Sequence, residues 1–341
     1  MGVILVLAAL TILLGRLFMP KYYSTQKEGS LIREYYGEDK DFDVVFIGDC
    51  EVYENFVPAV LWEDFGINSY IRGSAQQLIW QSYYLMEETL KYEHPDVMVF
   101  NILSLKYNEP QREEYNRMTL DGMRFSKSKV DSILSSMLPD ENFTDYLFPL
   151  LRFHDRYKEL KSEDISLLFG HGNVSHNGYL MQLGVKGITP DNYPVGRMLP
   201  DYTFGENAMN YLDKMVELCD NEGVQLVFVK APSLTPYWYD EWEEQVVAYA
   251  SEHNIPYINY LKLLPETGID FTEDTYDMGG HLNLYGAVKL TKHFGEFLRN
   301  EMNLPDRRNE EKLSQSWDEK LKLYYAEIET QKAAQSSGKD E

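Results

Sequence analysis

Cysteine is scarce in this chain. Only Cys50 and Cys219 occur in 341 residues. Two thiols cannot build a disulfide framework and are too few for a cysteine zinc cluster. Positive charge is scarce as well: 32 Lys and Arg stand against 55 Asp and Glu, for a formal net charge of -23. A chain of that sign is repelled by phosphate backbones, which excludes nucleic acid as a partner, and by anionic lipid headgroups. Internal repeats are absent. Biased composition is confined to the small, polar tail 333–341, which reads as disordered.

Long hydrophobic runs are also absent, except at the start. Residues 3–19 are apolar all round, with Arg16 near the end. As a helix this run reaches about 25 Å, somewhat short of a bilayer core of ~30 Å. No small-x-small cleavage site follows, so residues 1–20 are expected to form an uncleaved membrane anchor rather than a removed signal. Arg16 and Lys21, counted by the positive-inside rule, argue for the following chain in the cytoplasm. Residues 21–40 are polar and Tyr-rich and read as a linker.

From residue 41 onward, short apolar runs alternate with helical patterns. Strands are expected over 43–49, 67–72, 96–103, 224–230 and 255–261. Helices are expected over 57–66, 76–92, 204–222, 237–253 and 283–300. This alternation predicts a three-layer α/β fold over 41–303, with a doubly wound, mostly parallel five-stranded sheet. Functional groups then gather at the carboxyl ends of the strands. The roughly one hundred residues over 104–203 exceed any ordinary connection and read as a helical cap beside the site. They carry Arg112, Arg117, Arg124, Arg152, His154 and Arg156. Residues 307–331 read as a charged helix. The 26 tyrosines are expected mainly at core edges, with the apolar body buried and the hydroxyl wet.

Two places carry chemistry. Gly48-Asp49-Cys50 ends the first strand, so a nucleophile-type side chain sits where the chain turns toward a helix. Asp277-Met278-Gly279-Gly280-His281-Leu282-Asn283 places a histidine at the mouth of the last helix, with an aspartate four residues before it. A histidine held by a carboxylate can take a proton from a nucleophile and return it to a leaving group.

Gly48-Asp49-Cys50 resembles the Gly-Asp-Ser block of SGNH/GDSL hydrolases. His281-Leu282-Asn283-Leu284-Tyr285-Gly286 resembles their final His-x-Asn-x-x-Gly block. The resemblance covers 43–301 apart from the insertion and implies a flavodoxin-like SGNH fold. It implies Cys50, His281 and Asp277 as the catalytic set, and Gly73 with Asn101 or Asn108 as the oxyanion hole. Two departures stand out. Cys50 replaces the family serine, and Asp277 lies four rather than three residues before the histidine, so Asp274 is a second candidate. Membrane-tethered relatives of this superfamily act outside bacterial cells on envelope polymers. The resemblance therefore implies an extracytoplasmic domain, anchored by a single span, that transfers acyl groups on a cell-envelope polysaccharide. The alternative is a non-catalytic ectodomain that binds a glycan or an envelope partner.

Other residues carry weaker signals. Lys230, at the end of the fourth strand, and Arg152, in the cap, are candidates for meeting an anionic substrate. Surface ion pairs explain Arg152 as well. His171 and His176 lack the further ligands of a metal site. Cys219 reads as core filling, at the opposite sheet edge from Cys50, so the two are not expected to form a disulfide. The reading calls for no metal and no cofactor.

Overall fold

The computed structural model describes residues 2–19, 31–162, 164–165 and 174–337. Five strands, β1 (Val44–Gly48), β2 (Ser69–Gly73), β3 (Val97–Asn101), β4 (Gln225–Lys230) and β5 (Tyr257–Asn259), form one sheet in the order β2-β1-β3-β4-β5. Every neighbouring pair is parallel. The chain leaves β1 toward β2 and later returns to the other side of β1 as β3. This reversal makes the carboxyl ends of β1 and β3 the topological switch point, where such sheets bind ligands.

The strands are apolar runs because both faces are covered. Val44, Phe46, Val97, Val99, Val227 and Val229 enter one core, shared with helices Pro58–Phe65 and Leu284–Asn300. Val45, Ile47, Met98, Phe100, Leu226 and Phe228 enter the other, shared with helices Ile79–Thr89, Glu206–Glu222 and Asp240–Glu252. The fold is thus the three-layer, doubly wound α/β sandwich, all-parallel in its sheet. Cys219 lies in the second core, and both cysteines are free thiols.

Several boundaries differ from those read in the sequence. The second half of the 21–40 linker belongs to the body: Leu31, Ile32 and Tyr35 are fully buried. The C-terminal helix runs over Glu311–Ser337, so the tail expected to be disordered from 333 is helical as far as Ser337. Its indole Trp317 stacks on Trp62 at 5.4 Å and donates to Asn68 Oδ1 at 3.0 Å, which seats a charged helix on the core. The first half of the insertion carries the helices Glu113–Leu120, Lys127–Ser136, Phe143–Leu147 and Pro149–Phe153. Its second half returns along the edge strand. Ile71 N donates to Asn177 O at 2.9 Å, which covers an otherwise open β2 edge. His176 lies in this stretch and pairs with Glu327 at 2.8 Å, while His171 lies outside the described residues.

The N-terminal run forms a helix, Gly2–Phe18, with Leu5, Val6, Leu7, Leu10, Ile12, Leu13 and Leu14 exposed. Among the described residues no helix is long and apolar enough to cross a membrane.

Three buried carboxyl groups make stability depend on pH. Burial pushes Glu34 up to about 7 and Asp43 up to about 6; burial and then the charge of Glu51 push Asp49 up to about 6. Each group binds its proton more tightly folded than unfolded. Its contribution is complete below the unfolded pKa, near 4, and is lost as pH rises through 6 to 7. The thermal midpoint at about pH 5.5 should therefore exceed that at about pH 8, by roughly 5 °C for a chain of this size. Differential scanning fluorimetry across that range checks it, and a midpoint that rises with pH counts against it.

Candidate active site

The turn after β1 is shaped by Gly48, where an added Cβ would lie 2.4 Å from Val52 Cγ2. Asp49 then caps the four-residue helix Cys50–Tyr53, accepting from Glu51 N at 3.1 Å. Cys50 is therefore the first residue after the cap, at the carboxyl end of β1 and half-buried.

The histidine comes from the loop before Leu284–Asn300. Asn283 caps that helix through Tyr285 N at 3.1 Å and Gly286 N at 3.2 Å. Gly286 permits the close approach, since a Cβ there would meet Asp274 O at 2.6 Å. Ahead of it, Met278 (φ 68) and Gly279 (φ 87) form a left-handed bulge. The bulge absorbs the extra residue between Asp277 and His281. His281 Nδ1 donates to Asp277 Oδ2 at 2.7 Å, and His281 N donates to Asp277 Oδ1 at 2.8 Å. This leaves the other ring nitrogen free of Asp277, and the Cys50 thiol lies within electrostatic reach of the imidazole. Asp274 is committed elsewhere, to Asp270 N at 2.8 Å and Lys289 Nζ at 2.6 Å.

A second carboxylate, not singled out in the sequence, joins this group. Glu54 Oε2 lies 3.5 Å from His281 Nδ1 and accepts from Tyr276 Oη at 2.5 Å. The Tyr276 ring stacks on His281 at 6.0 Å. Burial opposes charge on His281, but the Cys50 thiolate, the Asp277 carboxylate and Glu54 together raise its pKa to about 12. Burial and the charge of Asp49 raise the Cys50 thiol, against the pull of His281. A helix N-terminus gives little help here, because the helix Cys50–Tyr53 has only one turn.

The remaining sequence candidates divide. Gly73 ends β2 in register with Gly48, and a Cβ there would lie 3.4 Å from Asp49 O, so its backbone runs against the Cys50 turn. Asn101 ends β3, but its amide is already occupied, donating to Asp49 Oδ1 at 3.2 Å and Glu51 Oε2 at 3.0 Å. Asn108 is not at the site. Its side chain caps helix Glu206–Glu222, accepting from Asn207 N at 2.9 Å and Ala208 N at 3.3 Å.

Lys230 does not face solvent or substrate either. It is fully buried and donates to Glu51 Oε1 at 2.8 Å, Glu51 Oε2 at 3.0 Å, Ala231 O at 2.7 Å and Ser233 Oγ at 3.0 Å. A strand-end position set its height in the sheet but not its partner, which is 179 residues away. Arg152 sits in the cap on Glu113, at 2.9 and 3.0 Å, and lines a cavity of 590 Å³ that neither Cys50 nor His281 reaches. Among the described residues no group of His, Cys, Asp and Glu is arranged to hold a metal ion.

No family model matches the chain, and no curated protein matches it. Among solved structures, one from Desulfitobacterium hafniense DCB-2, described as a lipolytic protein of the G-D-S-L family, is similar. It aligns over 75% of this chain and 99% of its own, at 14% identity and a TM-score of 0.40. A gut microbial diltiazem-metabolizing enzyme aligns over 76% of this chain and 48% of its own, at 13% identity and a TM-score of 0.24.

Proposed function

We infer that this chain is an SGNH/GDSL-type acyl-transferring esterase with Cys50 as nucleophile. One observation carries the reading: at the switch point of the sheet Asp277 holds His281 by two hydrogen bonds, and the imidazole lies within electrostatic reach of the Cys50 thiol. In the reactive form the thiolate of Cys50 attacks the acyl carbon, and the His281 imidazolium gives its proton to the departing alcohol oxygen. The neutral imidazole then takes a proton from water or an acceptor hydroxyl as that oxygen cleaves the thioester. This step regenerates the thiolate and the imidazolium. The N–H groups of Cys50 and Gly73 are the donors proposed for the oxyanion.

The scheme sets a pH dependence. The thiol must lose a proton that burial and Asp49 hold, while His281 must keep one that it holds to about 12. Ester turnover should climb steadily from about pH 6 past about pH 9, without a plateau near neutrality. A bell centred near pH 7 would show that the imidazole is neutral at rest and would defeat the scheme. The direct test is intact-mass analysis after incubation with an acetyl thioester, followed by peptide mapping. An acetyl group on Cys50 supports the reading. Its absence favours the non-catalytic binding role, which the occupied Asn101 amide also favours.

The substrate proposed is an ester on a cell-envelope polysaccharide, reached from the membrane surface. Helix Gly2–Phe18 is proposed as the tether, supported by its exposed leucines, with the domain outside the cytoplasm. Protease added to intact cells should then digest the domain. Digestion only after lysis would invert the topology.

A further inference from the structure

The carboxyl ends of β1 and β3 flank the switch point. Cys50 follows β1, and the helical turn Ile102–Lys106 follows β3. Around Cys50 the polar side chains are paired: Asp49 and Glu51 with Asn101, Glu51 with Lys230 and Ser233, and Glu54 with Tyr276 and His281. Lys106 and Tyr107 have no such pairing among the described residues. The Lys106 ammonium has no carboxylate within ion-pair distance among the described residues, and the Tyr107 hydroxyl has no hydrogen bond among them. The two lie together, with the ammonium 4.8 Å from the centre of the Tyr107 ring. Both are half-buried. Both lie within electrostatic reach of Asp49 and Cys50.

We propose that Lys106 and Tyr107 form an anion seat beside Cys50, so that the substrate carries a carboxylate or phosphate next to its ester. This rests on the reading of Cys50 as the acyl-accepting nucleophile. The ammonium supplies the charge and the phenol a second hydrogen bond, a pairing that binds an oxyanion more firmly than either donor alone. The need for such a seat follows from the surroundings. Asp49, Glu51, Glu54 and Asp277 would repel an anion from this cleft, and the whole chain is strongly acidic. A half-buried lysine without an ion-pair partner carries a desolvation cost, which a bound anion offsets. Burial lowers the Lys106 pKa from its ordinary value, with Asp49, Glu51 and Cys50 acting in the opposite sense.

Iodoacetate and iodoacetamide test the seat without requiring turnover. Both alkylate a thiolate by the same displacement of iodide, and they differ in carrying or lacking a carboxylate. The ratio of their rates at Cys50 cancels the thiolate fraction, so a change in thiol pKa does not affect it. Peptide mapping separates Cys50 from the buried Cys219. The full-length wild type at about pH 9 should show an iodoacetate-to-iodoacetamide ratio about tenfold above that of Lys106→Met. Lys106→Arg should restore most of it, and Tyr107→Phe should lower it by about threefold. Inorganic phosphate should slow iodoacetamide in the wild type and not in Lys106→Met. Equal ratios in wild type and Lys106→Met overturn the proposal, as does failure of both reagents to label Cys50. A high, Lys106-dependent ratio in a protein that traps no acetyl group would sustain the seat and sink the esterase reading instead.

Discussion

Cys50→Ala should abolish turnover of acetyl esters and thioesters, a loss of about 10³-fold or more relative to the wild type. His281→Ala should lose about as much, because the two residues act as one unit and removing either ends the relay. Asp277→Ala should cost less. Glu54 already stands 3.5 Å from the same ring nitrogen and can take over part of the work of orienting and charging the imidazole. Asp277→Ala combined with Glu54→Gln should then fall to the His281→Ala level. Steady-state kinetics on the four variants, with matching thermal midpoints as the control for folding, decide the matter. Turnover that survives in Cys50→Ala would remove the thiol from the mechanism.

Much of this site was legible in the sequence, for identifiable reasons. Cys50 and His281 sit at a strand end and a helix mouth, and both boundaries carry strong local signals: the apolar run Val44–Gly48 and the cap at Asn283. The competition between Asp277 and Asp274 was not resolvable by counting residues. The left-handed bulge at Met278 and Gly279 settles it, and backbone conformation there depends on the packed loop. Glu54 and Lys106 carried no signal because their importance lies in burial and in which partners they have or lack. Asn108 and Lys230 were misplaced for the same reason. A position near a strand's carboxyl end gives nearness to the crevice, yet one side chain turned to cap a distant helix and the other to a buried acid. The C-terminal helix shows a similar limit: its charge pattern marked it as helical, while its seat depends on tertiary burial, with Trp317 stacked on Trp62 and Tyr324 and Ile328 in the same core.

Lys230→Met should be the most destabilising single change near the site. Its ammonium and the Glu51 carboxylate are both essentially inaccessible to solvent, and Glu51 also accepts from Asn101 and Ser233. Removing the lysine leaves a buried carboxylate with neutral partners alone, a change that costs about 3–5 kcal/mol in comparable buried pairs. In a chain of this size that is a fall in thermal midpoint of roughly 10 °C. Glu51→Gln should also destabilise, since it strands the ammonium, although Ala231 O and Ser233 Oγ still accept from it. The double variant Glu51→Gln/Lys230→Met removes both charges and keeps an amide oxygen for Asn101 and Ser233. It should recover most of the loss, giving a coupling energy well above the scatter of a double-mutant cycle. Strictly additive losses would mean that the pair contributes no mutual stabilisation. The cycle also reports on the nucleophile. Asn101 ties Glu51 to Asp49, and Asp49 caps the turn that presents Cys50. Lys230→Met should therefore change the rate of Cys50 alkylation at a temperature where the variant is still folded, and the double variant should bring it back toward the wild-type value.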